Sequence, residues 1–425
     1  MEQNNNNAKT KKGLLIILLA LCLAISFIAG YFFNSLTMGK DYAMAKRVMR
    51  IIKSNSILLE DYSPDKVADS LVNALLANDH YAEYYSKEEL ETVMQEAEGN
   101  YQGIGLILYS NVKRVFKVLG NSPAQKAGFL KGDEILSVTH NDVCIQIDSS
   151  SQFNDIVNQL DIGESITVQV TNGGKIRDIL VKKQEFLVSF VSYVDSENTM
   201  TFESDNLEEL SPVVVDKENT VLDDKTAIIV LEQFEGSVSE HFKKALDYMV
   251  ERGRTNLILD LRDNGGGYMN ILLEISSFLI NNNGNNKNEI AYAKGTKQNF
   301  SFRTEENNFY SQIKDTVVIA NHNTASASEC LIGAMLYYKD MGFSHDKLLV
   351  TYNPARLDYS TYGKGIMQST YSLISGGAVK LTTGLIYQPD RTTCIHETGI
   401  KPTLDKNCVL DENALERAME IFANG

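Results

Sequence analysis

This 425-residue chain is short of cations, of histidine and of paired cysteines, and each shortage removes a class of function. Lysine and arginine number 40 against 55 acidic residues, the net charge is −15, and no cationic cluster occurs beyond the extreme N-terminus. Nucleic acid, whose phosphates need clustered cations, is therefore excluded as a partner. The six histidines show no metal-ligand spacing and the five cysteines no C-x-x-C pair, so we expect neither a metal nor another cofactor. Cys394 and Cys408 could pair outside the cell, but we favour two buried free thiols.

One long apolar run is present, and it occupies residues 13–33 near the N-terminus. Its 21 residues are enough to cross a bilayer as a helix, and Lys9, Lys11 and Lys12 before it favour a cytoplasmic N-terminus. A cleaved signal peptide is the alternative, but no clear Ala-x-Ala site follows the run. We therefore predict a cytoplasmic tail over residues 1–12 and an uncleaved, single-pass anchor in the cell membrane, with the rest of the chain outside the cytoplasm.

The sequence is 43% hydrophobic, and the chain after the apolar run is long enough to form two or three domains with cores of their own. We predict a mixed α/β fold. Apolar residues at helical spacing predict a helical arm over residues 34–100, a packing or homodimerisation element. Short strands and two helices are predicted over residues 101–184. Strands and helices alternate within residues 185–425, which predicts an α/β core. The acidic stretch 195–224 is interpreted as a solvated insertion in that core.

A serine and a lysine in the α/β core have the surroundings of catalytic residues. Ser326 lies between small residues, at the junction of a predicted strand and a predicted helix, where its hydroxyl can be exposed on a tight turn. Lys364 lies between two glycines and can be buried close to that hydroxyl. A neutral lysine can activate a serine without a histidine, provided that burial lowers its pKa from about 10.4. Gln368 could hydrogen-bond the amine without adding charge. A helix-capping serine and a lysine in a surface turn are the structural alternatives.

Two backbone N–H groups are candidates for an oxyanion hole. Ala327 follows Ser326 at the start of the predicted helix, where N–H groups have no intrahelical acceptor. Gly266 lies in a run of three glycines just after a buried strand predicted over residues 257–261. Glycine there lets the backbone approach a substrate closely, so we expect both groups to face the developing negative charge.

The order of elements between residues 101 and 184 resembles a PDZ domain in the circularly permuted form of bacterial proteases. The resemblance rests on the pattern Gly120-x-Ser122-Pro123-Ala124-x-x-Ala127-Gly128-x-x-x-Gly132-Asp133-x-Ile135. It implies a site that adds a peptide C-terminus to a sheet edge and holds the carboxylate with backbone N–H groups. The loop of Gly103, Ile104, Gly105 and Leu106 would bind it, and a purely structural turn is an equal alternative for these glycines.

In combination the motifs resemble the carboxy-terminal processing peptidases, or tail-specific proteases, over roughly residues 60–422. The shared motifs are Leu259-Asp260-Leu261-Arg262-x-Asn264-x-Gly266-Gly267, Ala325-Ser326-Ala327-Ser328-Glu329, Tyr362-Gly363-Lys364-Gly365 with Gln368, Gly377-x-x-Lys380-Leu381-Thr382 and Gly399-x-x-Pro402. The resemblance implies a PDZ domain before a peptidase core with Ser326 as nucleophile and Lys364 as base. It implies a membrane-anchored serine endopeptidase that cleaves exported proteins near their C-termini, with the free C-terminus bound by the PDZ domain.

Three features depart from the pattern of that family. Gly265 replaces a usual proline, Thr403 replaces a usual aspartate, and a long stretch before Lys364 predicts an inserted loop over residues 344–360. These departures affect loop geometry and remove no catalytic group. Two other functions compete: a PDZ peptide-binding scaffold with an inert core, and a serine hydrolase that uses His322 as its base. Inert relatives usually lose the serine or the lysine, and no acidic partner for His322 is obvious.

Overall fold

The computed structural model describes residues 47–48, 50–51, 70, 74 and 79–424, without 111, 198, 202–221, 282–286, 307, 340–341 and 374–375. The chain divides into two compact units, Met1–Leu71 and Val72–Gly425, and every element below belongs to the second. The predicted anchor over residues 13–33, most of the predicted arm and most of the acidic stretch lie outside the described residues. Among the described residues, no helix has the length and apolarity needed to cross a membrane.

The described end of the arm contains a strand as well as a helix. Strand β1 (Glu83–Tyr85) pairs antiparallel with residues 378–380, and helix α1 (Lys87–Ala97) follows it. Ser86 begins α1 in a capping box, in which its hydroxyl accepts from the Glu89 N–H and the Glu89 carboxylate accepts from the Ser86 N–H. Our prediction of an all-helical arm missed β1. This strand depends on a partner strand almost 300 residues away in the sequence, which local periodicity does not reveal.

The predicted PDZ region is built from short strands and two helices. Its elements are β2 (Asn100–Gly103), β3 (Leu106–Leu108), β4 (Val115–Val118), α2 (Pro123–Ala127), β5 (Glu134–His140), β6 (Val143–Gln146), α3 (Ser150–Gln159), β7 (Ser165–Asn172), β8 (Lys175–Lys182) and β9 (Gln184–Leu187). Strands β6-β5-β7-β8 form an antiparallel sheet, and β2 pairs with β9 and β3 with β4. Inward-facing residues such as Val138 and Val168 pack with Phe153 of α3, so the region has a core of its own.

A seven-stranded sheet forms the centre of the remaining chain. The elements are β10 (Val191–Val194), β11 (Thr199–Thr201), β12 (Thr226–Leu231), α4 (Val238–Glu251), β13 (Asn256–Asp260), α5 (Met269–Leu279), β14 (Glu289–Gly295), β15 (Asn299–Arg303), β16 (Asp315–Ala320), α6 (Ala327–Tyr338), β17 (Leu348–Thr351), β18 (Ile366–Ser372), β19 (Ala378–Tyr387), β20 (Cys408–Val409) and α7 (Ala414–Asn424). The sheet order is β11-β10-β12-β13-β16-β17-β20, and the strands from β12 onward are parallel.

Alternating side chains of the parallel strands fill a core on each face of this sheet. Leu259 packs on the side of α4, α5 and α6, whereas Ile258 shares the other core with Ala414 and Ala418 of α7. The carboxyl ends of β13 and β16 are neighbours at one edge, and they lead into the glycine turn and Ser326. In parallel sheets, active sites usually lie at the carboxyl ends of the strands.

A second, antiparallel sheet is absent from our prediction. It has the order β1-β19-β14-β15, and β18 also pairs with β19. Strand β18 begins two residues after Lys364, so this sheet carries both the end of the arm and the loop of residues 361–365, here called the lysine loop. Residues 344–360, which we predicted as an inserted loop, contain strand β17. Its four apolar and threonine residues are buried and pair with β16 on one side and β20 on the other.

Among the residues that the structure describes, two ion pairs join the PDZ region to the α/β core. Lys117 of β4 lies 2.8 Å from the carboxylate of Glu232, which directly follows β12. Lys131 pairs with Asp263 in the turn after β13. Burial opposes ionisation of Asp263, but hydrogen bonds from Asn323, Lys131 and other neighbours lower its pKa to about 2. The PDZ region is thus linked to the turn that carries Gly266.

Candidate active site

Ser326 lies on a strained turn between β16 and α6. Its φ of 57° and ψ of −116° fall in a region that residues other than glycine rarely adopt. Gly266 packs directly on this turn, since a Cβ atom there would lie 2.7 Å from Ser326 Cβ and 2.8 Å from the Ala325 carbonyl oxygen. Gly266 also has a φ of 97°, which favours glycine. The serine turn and the glycine turn, both predicted for the site, are therefore in contact.

Asn264 holds these two turns together. Its side chain is fully buried; Nδ2 donates to the Leu231 carbonyl at 2.8 Å, and Oδ1 accepts from the Gly266 N–H at 2.9 Å. The Asn264 carbonyl accepts from the Ala325 N–H at 2.9 Å and from the Ser328 hydroxyl at 3.2 Å. One residue thus fixes both turns with its side chain and its own backbone.

The Glu329 carboxylate connects the serine turn with the lysine loop. It is fully buried in the first turn of α6, and its Oε2 atom accepts from the N–H groups of Ser326 and Lys364, each at 2.9 Å. Oε1 accepts from the Gly363 N–H at 2.7 Å and from the Thr361 hydroxyl at 2.5 Å. Burial raises the pKa of Glu329, and the four hydrogen bonds oppose that rise. A single buried side chain therefore binds both segments on which the predicted chemistry depends.

The surroundings of Lys364 lower the pKa of its amine, which shifts the equilibrium toward the neutral form. Burial lowers the pKa of Lys364, and the positive charge of Lys380 lowers it further. Glu83 of β1 acts in the opposite direction, but its carboxylate lies 2.6 Å from Lys380 and is engaged in that ion pair. The direction of the shift is the one that a lysine base requires.

Gln368 lies near the lysine but has a different partner from the one predicted. Its Nε2 donates to the Tyr81 carbonyl at 2.6 Å, and the Tyr81 ring centroid lies 5.4 Å from the Lys364 amine. Over the described residues, no hydrogen bond joins the Ser326 hydroxyl to the Lys364 amine or to the His322 imidazole. The structure brings Ser326, Lys364 and Gln368 to one region, and the dyad itself stays a prediction.

The two predicted oxyanion donors differ in their present partners. Ala327 is the first residue of α6, so its N–H has no acceptor within the helix. The Gly266 N–H donates to Asn264, and it would have to leave or share that bond to contact an oxyanion. Their roles are therefore still predictions, and of the two only Gly266 would have to give up or share a hydrogen bond that the structure shows.

The predicted carboxylate-binding loop of the PDZ region packs tightly on the start of α2. Ile104 is buried in the core and its carbonyl accepts from the Ala124 N–H at 2.8 Å. A Cβ atom on Gly105 would lie 2.1 Å from Ser122 Cβ, and the residue has a φ of 83°. Gly103, with a φ of 151°, ends β2, and Leu106 begins β3. The close packing against Ser122 and the positive φ thus explain why residue 105 is a glycine. Carboxylate binding by this loop stays a prediction.

Three residues near the lysine have contacts that our sequence analysis did not foresee. The motifs included Glu329 and Lys380, but gave neither a role. Tyr81 was assigned only to the arm. Each contact depends on segments that are distant in sequence, so the only sequence signals are the two motifs that contain Glu329 and Lys380.

Metal-binding side chains do not gather in the described part of the chain, where no three of them lie together. The cysteines of that part are unpaired, namely Cys144, Cys330, Cys394 and Cys408. Cys394 and Cys408 are half-buried thiols rather than a disulfide.

Comparison with known proteins gives two family matches. The model of peptidase family S41 matches residues 225–342 and 358–405, and that of the PDZ domain matches residues 101–182. The gap in the first match falls at the predicted inserted loop. The solved structure of a photosystem II D1 C-terminal processing protease covers 88% of this chain and 90% of its own, with a TM-score of 0.52 at 20% identity. That likeness shows a shared fold.

Curated relatives are similar over most of the chain. A probable CtpA-like serine protease of Staphylococcus epidermidis (strain ATCC 12228 / FDA PCI 1200) is 26% identical over 349 residues, which are 80% of this chain and 60% of that protein. Another, of Staphylococcus aureus (strain bovine RF122 / ET3-1), is 24% identical over 402 residues, which are 92% of this chain and 71% of that protein. The match thus spans less than two thirds of the first relative. The comparisons therefore identify a serine peptidase domain similar to peptidase family S41 over residues 225–342 and 358–405, with a PDZ domain over residues 101–182 ahead of it.

Proposed function

We propose that this chain is a membrane-anchored serine endopeptidase that cleaves exported proteins near their C-termini with Ser326 and Lys364 as a catalytic dyad. The proposal rests on the Glu329 carboxylate, whose Oε2 atom accepts from the backbone N–H groups of both residues. This shared acceptor keeps the serine turn beside the lysine loop, and the lowered pKa of Lys364 suits a neutral base.

In the proposed acylation step, the Ser326 hydroxyl oxygen attacks the scissile carbonyl carbon while the Lys364 amine takes the hydroxyl proton. The carbonyl oxygen becomes an oxyanion, which the Ala327 N–H stabilises, with Gly266 if its N–H turns from Asn264. Collapse of this intermediate breaks the C–N bond, and the Lys364 ammonium protonates the leaving amine. A water molecule then attacks the acyl carbon while the neutral lysine accepts its proton. Collapse of the second intermediate breaks the ester bond to Ser326, and the Lys364 ammonium returns the proton to the serine oxygen.

The PDZ domain is proposed to bind the free C-terminus of the substrate at Gly103–Leu106. An edge-strand site reads the backbone and the chain end more than the internal sequence, so small or apolar terminal side chains should suffice. Cleavage of one protein substrate with a free and with an amidated C-terminus tests this role. We expect the amidated tail to be cut more slowly, and equal rates would contradict carboxylate recognition.

The location is proposed from residues 13–33 and the lysines that precede them. Protease added outside spheroplasts should digest the bulk of the protein, and full protection of the peptidase core would overturn the topology.

The arm is proposed as a homodimerisation element. Sedimentation of the full chain in detergent should then give the dimer mass, and a monomer at all concentrations would contradict it.

Cleavage of a peptide by the full chain tests the proposed chemistry directly. Ser326→Ala and Lys364→Ala should each abolish activity, whereas His322→Ala should retain it. Activity that survives Lys364→Ala but not His322→Ala would identify a histidine-based hydrolase. An inactive parent chain that still binds peptide C-termini would identify the competing PDZ scaffold.

A further inference from the structure

Tyr81, in the segment just before β1, is held firmly against the peptidase core. The Asp79 carboxylate accepts from the Tyr81 N–H at 3.1 Å, and also from the N–H and hydroxyl of Thr382 in β19, at 3.0 and 2.9 Å. Two residues later, Glu83 of β1 pairs with Lys380 of β19 in backbone register. These contacts fix the position of Tyr81 from both sides.

Three groups of Tyr81 face the lysine loop and its surroundings. The ring centroid lies 5.4 Å from the Lys364 amine, and the carbonyl accepts from Gln368 Nε2 at 2.6 Å. The hydroxyl interacts with the side chain of Tyr362, two residues before the lysine. Burial and this neighbour raise the pKa of Tyr81 to about 12, so the phenol is neutral near pH 7.

We propose that Tyr81 is a positioning residue for Lys364, and that the segment before β1 therefore forms one wall of the lysine pocket. The ring covers the amine, excludes water from that side and limits the directions in which the side chain can point. This role rests on the proposed Ser/Lys function, which it extends by assigning part of the site to the arm.

An aromatic face has two opposite effects on a lysine amine. It attracts the ammonium form, and it also removes water that would stabilise the same charge. Burial is the largest cause of the lowered pKa of Lys364, so the second effect should dominate. The charged groups that face this amine are Lys380 of β19, which lowers its pKa, and Glu83 of β1, which raises it. The Glu329 carboxylate is occupied by four hydrogen bonds, one of them from the Lys364 N–H.

Substitutions at Tyr81 in the full chain separate these effects. Tyr81→Phe keeps the ring and should behave as the parent. Tyr81→Leu should give a small upward shift of the Lys364 pKa, and Tyr81→Ala a shift of about one pH unit. The acid limb of the pH profile of kcat should shift to higher pH together with the Lys364 pKa, and activity should recover at high pH. Tyr371→Ala, at an exposed tyrosine of β18, is the matched control and should leave the profile unchanged.

Competitive acetylation of lysines with limiting acetic anhydride, followed by mass spectrometry, measures the Lys364 pKa without catalysis. An unchanged Lys364 pKa in both the leucine and the alanine variants would overturn the role of Tyr81. If alanine prevents folding, the leucine variant decides alone, and a parental pKa in it overturns the role. Lys364→Ala is assayed in parallel: full activity there refutes the dyad itself, whereas an inactive Lys364→Ala with unshifted Tyr81 variants refutes only this inference.

Discussion

At the scale of single residues, the absence of a Cβ atom at Gly266 decides whether Ser326 can hold its strained conformation. In Gly266→Ala the new carbon would lie 2.7 Å from Ser326 Cβ, in a backbone with a φ of 97°. We expect a loss of about 1–3 kcal/mol of stability from strain and of about 100-fold in kcat from displacement of the nucleophile. Gly265→Ala is the control, because a Cβ atom at that position would meet no atom within 4 Å beyond its two neighbours in the chain. Equal activity of the two variants would contradict the tight contact.

Glu329 is the second residue on which the site geometry depends. Glu329→Gln replaces an acceptor of four hydrogen bonds by an amide that has one acceptor oxygen and turns an N–H₂ group toward two donors. We expect about 1–3 kcal/mol of destabilisation in urea unfolding and a fall of about 100-fold in kcat. Glu397→Gln, whose side chain is 86% exposed in the neighbouring loop, should change neither quantity. A fully active and stable Glu329→Gln would show that the carboxylate does not hold the two segments.

At the scale of elements, the ion pair between strand β4 of the PDZ region and the residue after β12 in the core should give a measurable coupling energy. Lys117 and Glu232 are 2.8 Å apart and only 16% and 23% exposed. We expect Lys117→Glu to destabilise the chain and the double charge swap Lys117→Glu/Glu232→Lys to recover about 0.5–1 kcal/mol. The double-mutant cycle is followed by thermal unfolding at low and high salt.

The ion pair of Lys87 and Glu91 in α1 is the control for that cycle, because its side chains are 61% and 64% exposed. Its coupling should be smaller than that of Lys117 with Glu232. Equal couplings in the two cycles would mean that the PDZ–core ion pair contributes no more than a solvated surface pair.

Elements with a strong local pattern were predictable from sequence, and elements that depend on distant partners were not. Helix α4 has apolar residues at helical spacing, and β13 is a short apolar run. The strand predicted over residues 257–261 is confirmed to within one residue at each end. Strands β18 and β19 contain mixed polar and apolar residues, and β1 is only three residues long. Their pairing is set by segments far apart in the chain, which local periodicity cannot reveal.

The same limit applies to the site. Ser326, Lys364 and Gly266 were found because each has small or glycine neighbours that signal a close approach. Glu329 stands in one of the quoted motifs, but its bond to the Lys364 N–H joins residues 35 apart. The contact of Tyr81 with Gln368 spans 287 residues. Such contacts follow from how the second sheet carries the arm to the lysine loop, which the sequence pattern did not predict.

At the scale of the whole molecule, the site is assembled from three parts of the chain. The parallel sheet supplies the serine turn and the glycine turn, the antiparallel sheet supplies Lys364 and its neighbours, and the end of the arm covers the lysine. The PDZ domain contacts the core through Asp263, close to Gly266. Movements of the PDZ domain or of the arm should therefore change the geometry of the catalytic groups, provided that a ligand binds one arrangement better than another.

The pH dependence of substrate cleavage by the full chain, compared with that of Lys364→Arg, tests the Ser/Lys account most directly. Because the pKa of Lys364 is lowered and only the neutral amine is a base, parental activity should rise with pH through that lowered pKa and then level off. Arginine stays charged throughout, so the variant should be inactive at every pH while its thermal unfolding remains parental. A Lys364→Arg variant that cleaves at the parental rate, or a parental profile without that rise, would contradict the account.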